Sequence, residues 1–188
     1  KEKRNRLRKM NNNFFKILSL FLLFIVISCD KKQVFDEYYA FDGTWKKNKK
    51  ATFTFEQKDT TSVYNLFLNV RNNNDYPYNN LFLIVSLNQP NGKVIVDTLE
   101  YQMANPDGTL LGTGFSDVKE SKLWYKENYS FEKPGKYTLE VEHALRQTGK
   151  VQGVKDLTSI TDLGFRIEKR KERKKWHLTT PRSVIQIT

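Results

Sequence analysis

Short stretches in which apolar and polar residues alternate limit the folds open to this chain more than any other feature. In residues 62–71 two sets of side chains point to opposite faces: Tyr64, Leu66, Leu68 and Val70 on one face, and Asn65, Phe67, Asn69 and Arg71 on the other. A period of two is typical of a strand that turns one face to the core. Residues 137–142 alternate as strictly, and Tyr137, Leu139 and Val141 are predicted to point inward.

Turn-forming residues separate these stretches. Asn91-Gly92 favours a tight hairpin, and further turns are predicted at residues 105–108 and 133–135. Residues 81–87 form a continuous apolar run, which predicts a strand buried on both faces. We expect about eight strands or extended segments, drawn from residues 34–41, 52–55, 62–71, 81–87, 93–103, 110–118, 122–131, 136–145 and 163–168.

The number and spacing of these segments predict the fold class. The chain is expected to be all-β, with a single antiparallel β-sandwich (Ig-like or jelly-roll-like) after an N-terminal signal helix. Residues 45–50 are expected to form a basic loop, and residues 147–159 a second loop. Roughly 135 residues of β domain are enough to bury a sizeable core.

The N-terminal segment has the features of a bacterial secretion signal. Met10 is the expected start, and a short polar, positively charged region precedes an apolar run at residues 17–27. A helix of that length covers roughly half of a ~30 Å hydrocarbon core, so it is short for a membrane span. Val26-Ile27-Ser28 then leads into Cys29, which completes the lipobox pattern of bacterial lipoproteins.

Cys29 is therefore the predicted lipidation site. A diacylglycerol on its thiol and an acyl group on its new N-terminus would anchor the chain stably in a membrane, and no other cofactor is predicted. The expected organisation is upstream residues and signal peptide at 1–28, a lipidated tether at 29–33, the β-sandwich at 34–168 and a basic tail at 169–188. A signal anchor with an incidental cysteine is the alternative.

The formal net charge of +11 is concentrated near the two ends of the chain. Residues 1–28 and residues 166–188 each carry a net charge of +6, whereas residues 29–165 carry 17 basic and 18 acidic residues. Nucleic-acid binding requires a basic surface on the folded part, so nucleic acid is not an expected partner. The tail is expected to be a solvated appendage, and a contact with anionic lipid or an acidic partner is the functional alternative.

The sequence predicts neither a catalytic constellation nor a metal site. It contains no Gly-rich phosphate loop and no nucleophile elbow. His143 lies in a predicted strand, where it is expected to be an ordinary strand residue and not a general base. Asn72, Asn74, Asp75 and Asp107 could supply oxygen ligands to Ca²⁺, although turn residues look the same without a metal.

Four aromatic residues are candidates for contact with a protein partner or a glycan. They are Tyr76, Tyr78, Trp124 and Tyr125. Exposed aromatic rings stack on sugars or anchor protein interfaces. Burial in the core is the alternative for these residues, and for Trp124 it is the favoured expectation.

Several short segments together resemble one family. Among them are residues 64–72, 74–81, 97–101, 103–108, 111–117, 123–126, 135–138, 144–146 and 162–168, which include Met103-Ala104-Asn105-Pro106-Asp107-Gly108 and Asp162-Leu163-Gly164-Phe165-Arg166-Ile167-Glu168. With the lipobox, they resemble the gliding-motility lipoprotein H family (GldH) over about residues 29–169. The loop at 147–159 and the basic tail depart from the family's pattern.

The resemblance implies a membrane-anchored cell-envelope lipoprotein of the gliding motility machinery and the associated protein secretion machinery. Other gliding or secretion envelope proteins are then the expected partners, and the family contributes no catalytic residues, so a non-enzymatic role is expected. The alternative is a carbohydrate-binding surface module that uses Tyr76, Tyr78 and Trp124, and a lipoprotein hydrolase is a third option. The expected location is the outer membrane, facing the periplasm, whereas Asp30 favours the inner membrane under one sorting rule.

Overall fold

The computed structural model describes residues 32–114, 116–146, 149 and 152–170. This part of the chain contains ten strands: β1 (Gln33–Ala40), β2 (Thr44–Lys46), β3 (Ala51–Gln57), β4 (Tyr64–Asn73), β5 (Asn80–Asn88), β6 (Val94–Gln102), β7 (Val118–Tyr129), β8 (Gly135–His143), β9 (Asp156–Thr158) and β10 (Ile160–Lys169). They form two four-stranded sheets, ordered β1-β10-β4-β7 and β3-β8-β5-β6, and a two-stranded sheet of β2 and β9.

The two large sheets pack face to face as a sandwich. The pairs β10–β4, β4–β7, β3–β8, β5–β8 and β5–β6 are all antiparallel, which confirms the predicted all-β fold. The sandwich belongs to a compact unit that begins at Val34, and the predicted signal helix lies outside the described residues. Within the described ranges, no helix is long and apolar enough to cross a bilayer.

Phenylalanine rings from both sheets fill the space between them. The ring centroid of Phe35 in β1 lies 5.4 Å from that of Phe55 in β3 and 5.7 Å from that of Phe165 in β10. Phe53 lies 5.9 Å from Phe165. Each buried ring of this size stabilises the fold by about 1.5–3 kcal/mol through the hydrophobic effect. Most inward residues of these strands are therefore apolar because they point into this layer of aromatic rings.

The alternating segments are confirmed as strands with one buried face. In β4, Leu66, Leu68 and Val70 are fully buried, and in β8 the same holds for Tyr137, Leu139 and Val141. The predicted hairpin at Asn91-Gly92 joins β5 to β6, and Gly92 has the left-handed φ of 81° that such a turn favours.

The apolar run at residues 81–87 forms β5, but the prediction that both faces are buried is wrong. Leu81, Leu83, Val85 and Leu87 are fully buried, whereas the alternate residues are only partly covered. Only one face of this sheet packs against the core, so the apolar side chains on the other face are only partly buried. The segment 110–118 is also not a strand: it makes single bridges at Leu110 and Thr113 before β7 begins.

A small third sheet lies where loops were predicted. Trp45 of β2 pairs with Leu157 of β9, so the predicted loops at 45–50 and 147–159 each contain a short strand. Both side chains are fully buried, and the indole Nε1 donates a hydrogen bond to the carbonyl oxygen of Lys49 at 2.7 Å. Three-residue strands carry too little periodicity to be recognised in the sequence, and the neighbouring lysines conceal the buried tryptophan.

Burial also governs the charge state of His143. Its side chain is 2% exposed, and its ring meets Trp45 edge to face at 5.4 Å. Neither imidazole nitrogen reaches a partner with good hydrogen-bond geometry in the described part of the chain, although the nearby Trp45 backbone partly favours the charged form. Burial outweighs that effect and lowers the pKa of His143.

We predict that His143 makes the fold sensitive to mild acid. Because its pKa is lower in the folded state than the ordinary ~6.5, the unfolded chain binds the proton first and stability falls as the pH drops below that value. Protonation of this one group can change the free energy of unfolding by up to about 1.4 kcal/mol per pH unit. His143→Leu should lose this part of the pH dependence in urea unfolding between pH 7 and pH 5, whereas His177→Gln should keep it. An unchanged slope in His143→Leu would contradict the assignment.

Candidate partner-binding surface

An exposed tryptophan lies on the outer face of the β1-β10-β4-β7 sheet. Trp124 of β7 is directly opposite Phe67 of β4, and the two ring centroids are 4.5 Å apart. Trp124 is 52% exposed and covers Phe67, which is only 5% exposed. The expectation that Trp124 lies in the core is therefore wrong, because its position in β7 points outward and its ring packs on another outward ring instead.

Ion pairs continue across the same face. Lys122 Nζ lies 4.0 Å from the Phe67 ring centroid and 2.6 Å from Glu168 Oε1 of β10. Arg166 Nε donates to the same carboxylate oxygen at 2.6 Å, and its Nη1 donates to Asp36 Oδ2 of β1 at 2.5 Å. Partial burial opposes the ionisation of Glu168, but the two donors outweigh it and hold the pKa of that carboxyl below its usual value.

A second aromatic ring lies on the β1 side of this face. The Tyr38 ring is stacked under the Arg71 guanidinium at 4.0 Å, and its hydroxyl accepts a hydrogen bond from Asn69 Nδ2 at 3.1 Å. Arg71 Nε in turn donates to Glu120 Oε2 at 2.6 Å. Burial is the main cause that raises the pKa of Tyr38, and the charge on Glu120 adds to it.

Gly164 of β10 creates the space for the Tyr38 ring. A Cβ on this glycine would lie 2.7 Å from Tyr38 Cε1, closer than real Cβ contacts allow. Glycine within a strand commonly marks such a close approach. The ring can therefore lie flat over β10, beside Asn69 of the neighbouring strand.

We call this surface the aromatic face and define it by Tyr38, Phe67, Arg71, Lys122 and Trp124. Tryptophan, tyrosine and arginine are the residues that most often dominate the binding energy of protein interfaces. Ion pairs to Glu120 and Glu168 restrict the Arg71 and Lys122 side chains, which lowers the entropy these two lose on binding. The arrangement is suited to binding a protein surface.

The four aromatic residues singled out in the sequence do not form one site. Tyr76 and Tyr125 are buried, at 5% and 8% exposed, and their hydroxyls donate to Asn80 O at 2.8 Å and to Asp97 Oδ2 at 3.0 Å. Tyr125 points to the inner side of β7, away from Trp124, and its hydroxyl reaches Asp97 of β6 in the other sheet. Tyr78 is half-buried and meets Tyr76 edge to face at 5.7 Å. Cys29 lies outside the described residues.

An open polar cleft of about 510 Å³ lies near the start of β5 and the end of β6. Its lining consists of Asn79, Asn80, Glu100, Gln102, Ala104, Asn105 and Pro106. Asn80 Nδ2 already donates to Glu100 Oε1 at 2.9 Å, and Gln102 Nε2 donates to Ala104 O at 2.9 Å. Across the described ranges, no group of three His, Cys, Asp or Glu side chains is arranged to hold a metal ion.

The sequence alone does not identify most residues of the aromatic face as a binding site. Phe67 and Arg71 were assigned correctly to the outer side of β4, and an aromatic residue on a predicted polar face was the available signal. Tyr38 and Lys122 carry no comparable signal, because their importance depends on which strands become neighbours of β10 and β4.

Comparison with known proteins assigns the family. The model of the family described as GldH lipoprotein matches residues 33–167. The chain belongs to the GldH lipoprotein family. It is 53% identical over 162 residues to the gliding motility lipoprotein GldH of Flavobacterium johnsoniae, covering 86% of this chain and 99% of that protein. It is 51% identical over 160 residues to the gliding motility lipoprotein GldH homolog of Christiangramia forsetii, covering 85% and 98%.

The GldH assignment agrees with the resemblance found in the sequence. It supports a lipoprotein role in gliding and a membrane-anchored location in the cell envelope. Among solved structures, the chain is similar to one titled as that of the infectious bursal disease virus Gx strain, with a TM-score of 0.36 and 12% identity. That match covers 75% of this chain and 33% of the viral chain.

We predict that Gly164→Ala displaces the Tyr38 ring and destabilises the protein by about 1–3 kcal/mol, the usual cost of overpacking. In a Tyr38→Ala background the same change should cost less than about 0.5 kcal/mol, because the clashing ring is gone. Urea unfolding of the four proteins in this double-mutant cycle measures the coupling. If Gly164→Ala lowers the free energy of unfolding equally in both backgrounds, the absence of a side chain at Gly164 is not what accommodates the Tyr38 ring.

Proposed function

We propose that the chain is a non-enzymatic, lipid-anchored component of the gliding motility machinery and of the protein secretion machinery linked to it. Acyl chains on Cys29 would hold the sandwich at a membrane surface, and the aromatic face would bind another envelope protein. The proposal is supported by the lipobox before Cys29, the GldH family assignment and the composition of the aromatic face.

The exposed Trp124 ring carries the partner proposal. A tryptophan that remains 52% exposed while packed on Phe67 leaves a large apolar surface in water. Covering such a ring on binding removes that surface from water, and anchoring tryptophans of this kind often contribute 2 kcal/mol or more, roughly 30-fold in affinity. Lys122, the next residue on the same face of β7, forms an ion pair with Glu168, and Arg71 pairs with Glu120 further along the sheet.

The proposed location is the outer membrane, with the domain in the periplasm. The tether between Cys29 and β1 is short, since four residues reach at most about 14 Å. A partner would therefore have to lie close to the same membrane. Other lipoproteins or membrane proteins of the gliding and secretion machinery meet that condition.

A carbohydrate-binding module is less well supported by the geometry. The buried ring of Tyr76 cannot stack on a sugar together with Tyr78 and Trp124. Tyr125 is buried as well, so Tyr78 and Trp124 are the two rings left for contact with a sugar. We therefore favour a protein partner for Trp124.

We predict that Trp124→Ala reduces capture of the partner at least tenfold. Affinity-tagged chains would be recovered from detergent-solubilised envelopes, and the co-purified gliding and secretion components would be quantified by mass spectrometry. The loss is expected because the most exposed aromatic ring of the aromatic face is removed. Trp124→Tyr, which keeps an aromatic ring, should retain most of the capture.

Val96→Ala is the matched control for this experiment. Val96 is 61% exposed but belongs to the outer face of the other sheet, so its removal should leave capture unchanged. Thermal unfolding of each variant would verify that the sandwich is intact. Equal capture by the wild type and Trp124→Ala, or capture of no gliding or secretion component by the wild type, would contradict the proposal.

A further inference from the structure

The described chain enters and leaves the sandwich at the same end. Tyr64 at the start of β4 is paired with Lys169 at the end of β10 and with Tyr129 at the end of β7. In the other sheet, Gln57 at the end of β3 is paired with Gly135 at the start of β8. The start of β1 lies at this end as well. Phe35 near its start packs on Phe165 in the later half of β10, whereas the Phe41 backbone N–H, just past its end, donates to the Thr161 carbonyl oxygen near the start of β10.

Three loops meet at this end, at residues 58–63, 89–93 and 130–134. The Phe131 ring lies 5.3 Å from that of Tyr64, and so connects one loop to the start of β4. We call this region the basic end, and it carries six cationic side chains: Lys58, Lys93, Lys133, Lys136, Lys169 and Arg170. The carboxylates beside them are Glu56, Asp59, Glu127 and Glu132.

Two of these six cations form ion pairs at this end, and Arg170 donates a hydrogen bond to the Asn128 side chain. Lys93 pairs with Glu132 at 3.1 Å, and Lys169 pairs with Asp59 at 2.8 Å. Lys58, Lys133 and Lys136 are exposed and make no ion pair within 4.0 Å in the described ranges, although Glu56 lies directly opposite Lys136 on the neighbouring strand. Fixed carboxylates at this end thus neutralise some of the lysines and leave a positive excess.

The sequences on either side of the described part of the chain are also basic. Residues 171–175, which follow the last described residue, have the sequence Lys-Glu-Arg-Lys-Lys and a net charge of +3. On the other side, Asp30, Lys31 and Lys32 lie between Cys29 and β1, with a net charge of +1. The anchor and the basic tail are therefore joined to the sandwich at its basic end.

Exposed apolar side chains accompany the cations at the basic end. Val34 at the start of β1 and Val94 at the start of β6 are 50% and 51% exposed, and Pro90 and Pro134 are exposed in the loops beside them. Cationic side chains interspersed with apolar ones are the composition that proteins use at lipid headgroup surfaces.

We propose that the basic end is a docking surface for the anionic phospholipid headgroups of the bilayer that holds the Cys29 lipid. Lys58, Lys133 and Lys136 would contact headgroup phosphates, and Val34 and Val94 would reach the boundary of the acyl region. This inference rests on the proposed lipid anchor, which brings the basic end to within about 14 Å of the membrane. The anchor gives attachment, and the docking surface gives the domain a defined orientation.

The orientation can be measured with the complete acylated chain in vesicles. A fluorophore would be placed at Ser130→Cys in the basic end or at Asn74→Cys in the loop before β5, since both positions are exposed. Vesicles of phosphatidylcholine, with or without about 30% phosphatidylglycerol, would carry nitroxide-labelled lipid as the quencher. We expect phosphatidylglycerol to increase quenching at position 130 at least twofold and to leave position 74 unchanged.

Replacing lysines with glutamine tests which of them bind the anionic headgroups. A basic side chain near an anionic surface is worth about fivefold in binding, so Lys58→Gln, Lys133→Gln and Lys136→Gln together should weaken the docked state by about 100-fold and abolish the extra quenching. The matched control removes three lysines elsewhere, with Lys46→Gln, Lys47→Gln and Lys155→Gln, and should behave as the wild type. Raising the salt concentration to about 1 M should also abolish the effect, because the screening length falls to about 3 Å.

Different results would contradict the Cys29 lipid anchor and the docking of the basic end on anionic lipid. Retention of the chain by neutral vesicles reports the acyl anchor alone, whereas the lysine-dependent effect of phosphatidylglycerol reports the basic end. A chain that leaves neutral vesicles but still binds anionic ones through the three lysines would refute the anchor and uphold the surface. Quenching at position 130 that ignores phosphatidylglycerol, or that is lost equally in both triple variants, would overturn the docking proposal.

Discussion

Packing of phenylalanine rings between the two sheets is the interaction on which the rest of the structure depends. Phe35, Phe55 and Phe165 come from β1, β3 and β10, and each contacts the other two within 5.7 Å. This contact joins the two sheets and holds β1 beside β10. Because inward and outward residues alternate, fixing these rings also fixes which side chains of β10 and β4 point to solvent. The aromatic face is a consequence of the core behind it.

Much of the sandwich could be predicted because its long strands repeat one pattern over many residues. The alternation in β4 and β8 predicts both the strand and its buried face, and Asn91-Gly92 predicts the hairpin. Alternation says less when both faces contain apolar residues. In β5 the run of apolar side chains suggested burial on both faces, although Phe82 and Ile84 lie on the partly exposed face.

The site was harder to predict than the fold, because it depends on contacts between strands far apart in sequence. Trp124 is apolar enough to suggest the core, and only its pairing with Phe67 shows that the two rings cover each other outside it. Gly164 looks unremarkable in the sequence until Tyr38 is seen lying on it. The opposite holds for Trp45, because the lysines that follow it at 46, 47, 49 and 50 suggest an exposed loop, whereas its ring is fully buried.

The surfaces suggest a division of labour within the proposed function. The basic end is joined to both flanking basic segments and would face the bilayer, whereas the aromatic face lies along the side of the sandwich and remains accessible to a neighbouring protein. Both roles need the domain to be held at a membrane, since an untethered domain would meet its partner far less often. Lipidation of Cys29 is therefore the central claim.

Mass spectrometry of the mature N-terminal peptide, isolated from cell membranes, tests that claim most directly. The account predicts a peptide that begins at Cys29 and carries the mass of a diacylglycerol and an N-linked acyl chain. A peptide that continues upstream through Ser28 with an unmodified cysteine would contradict it.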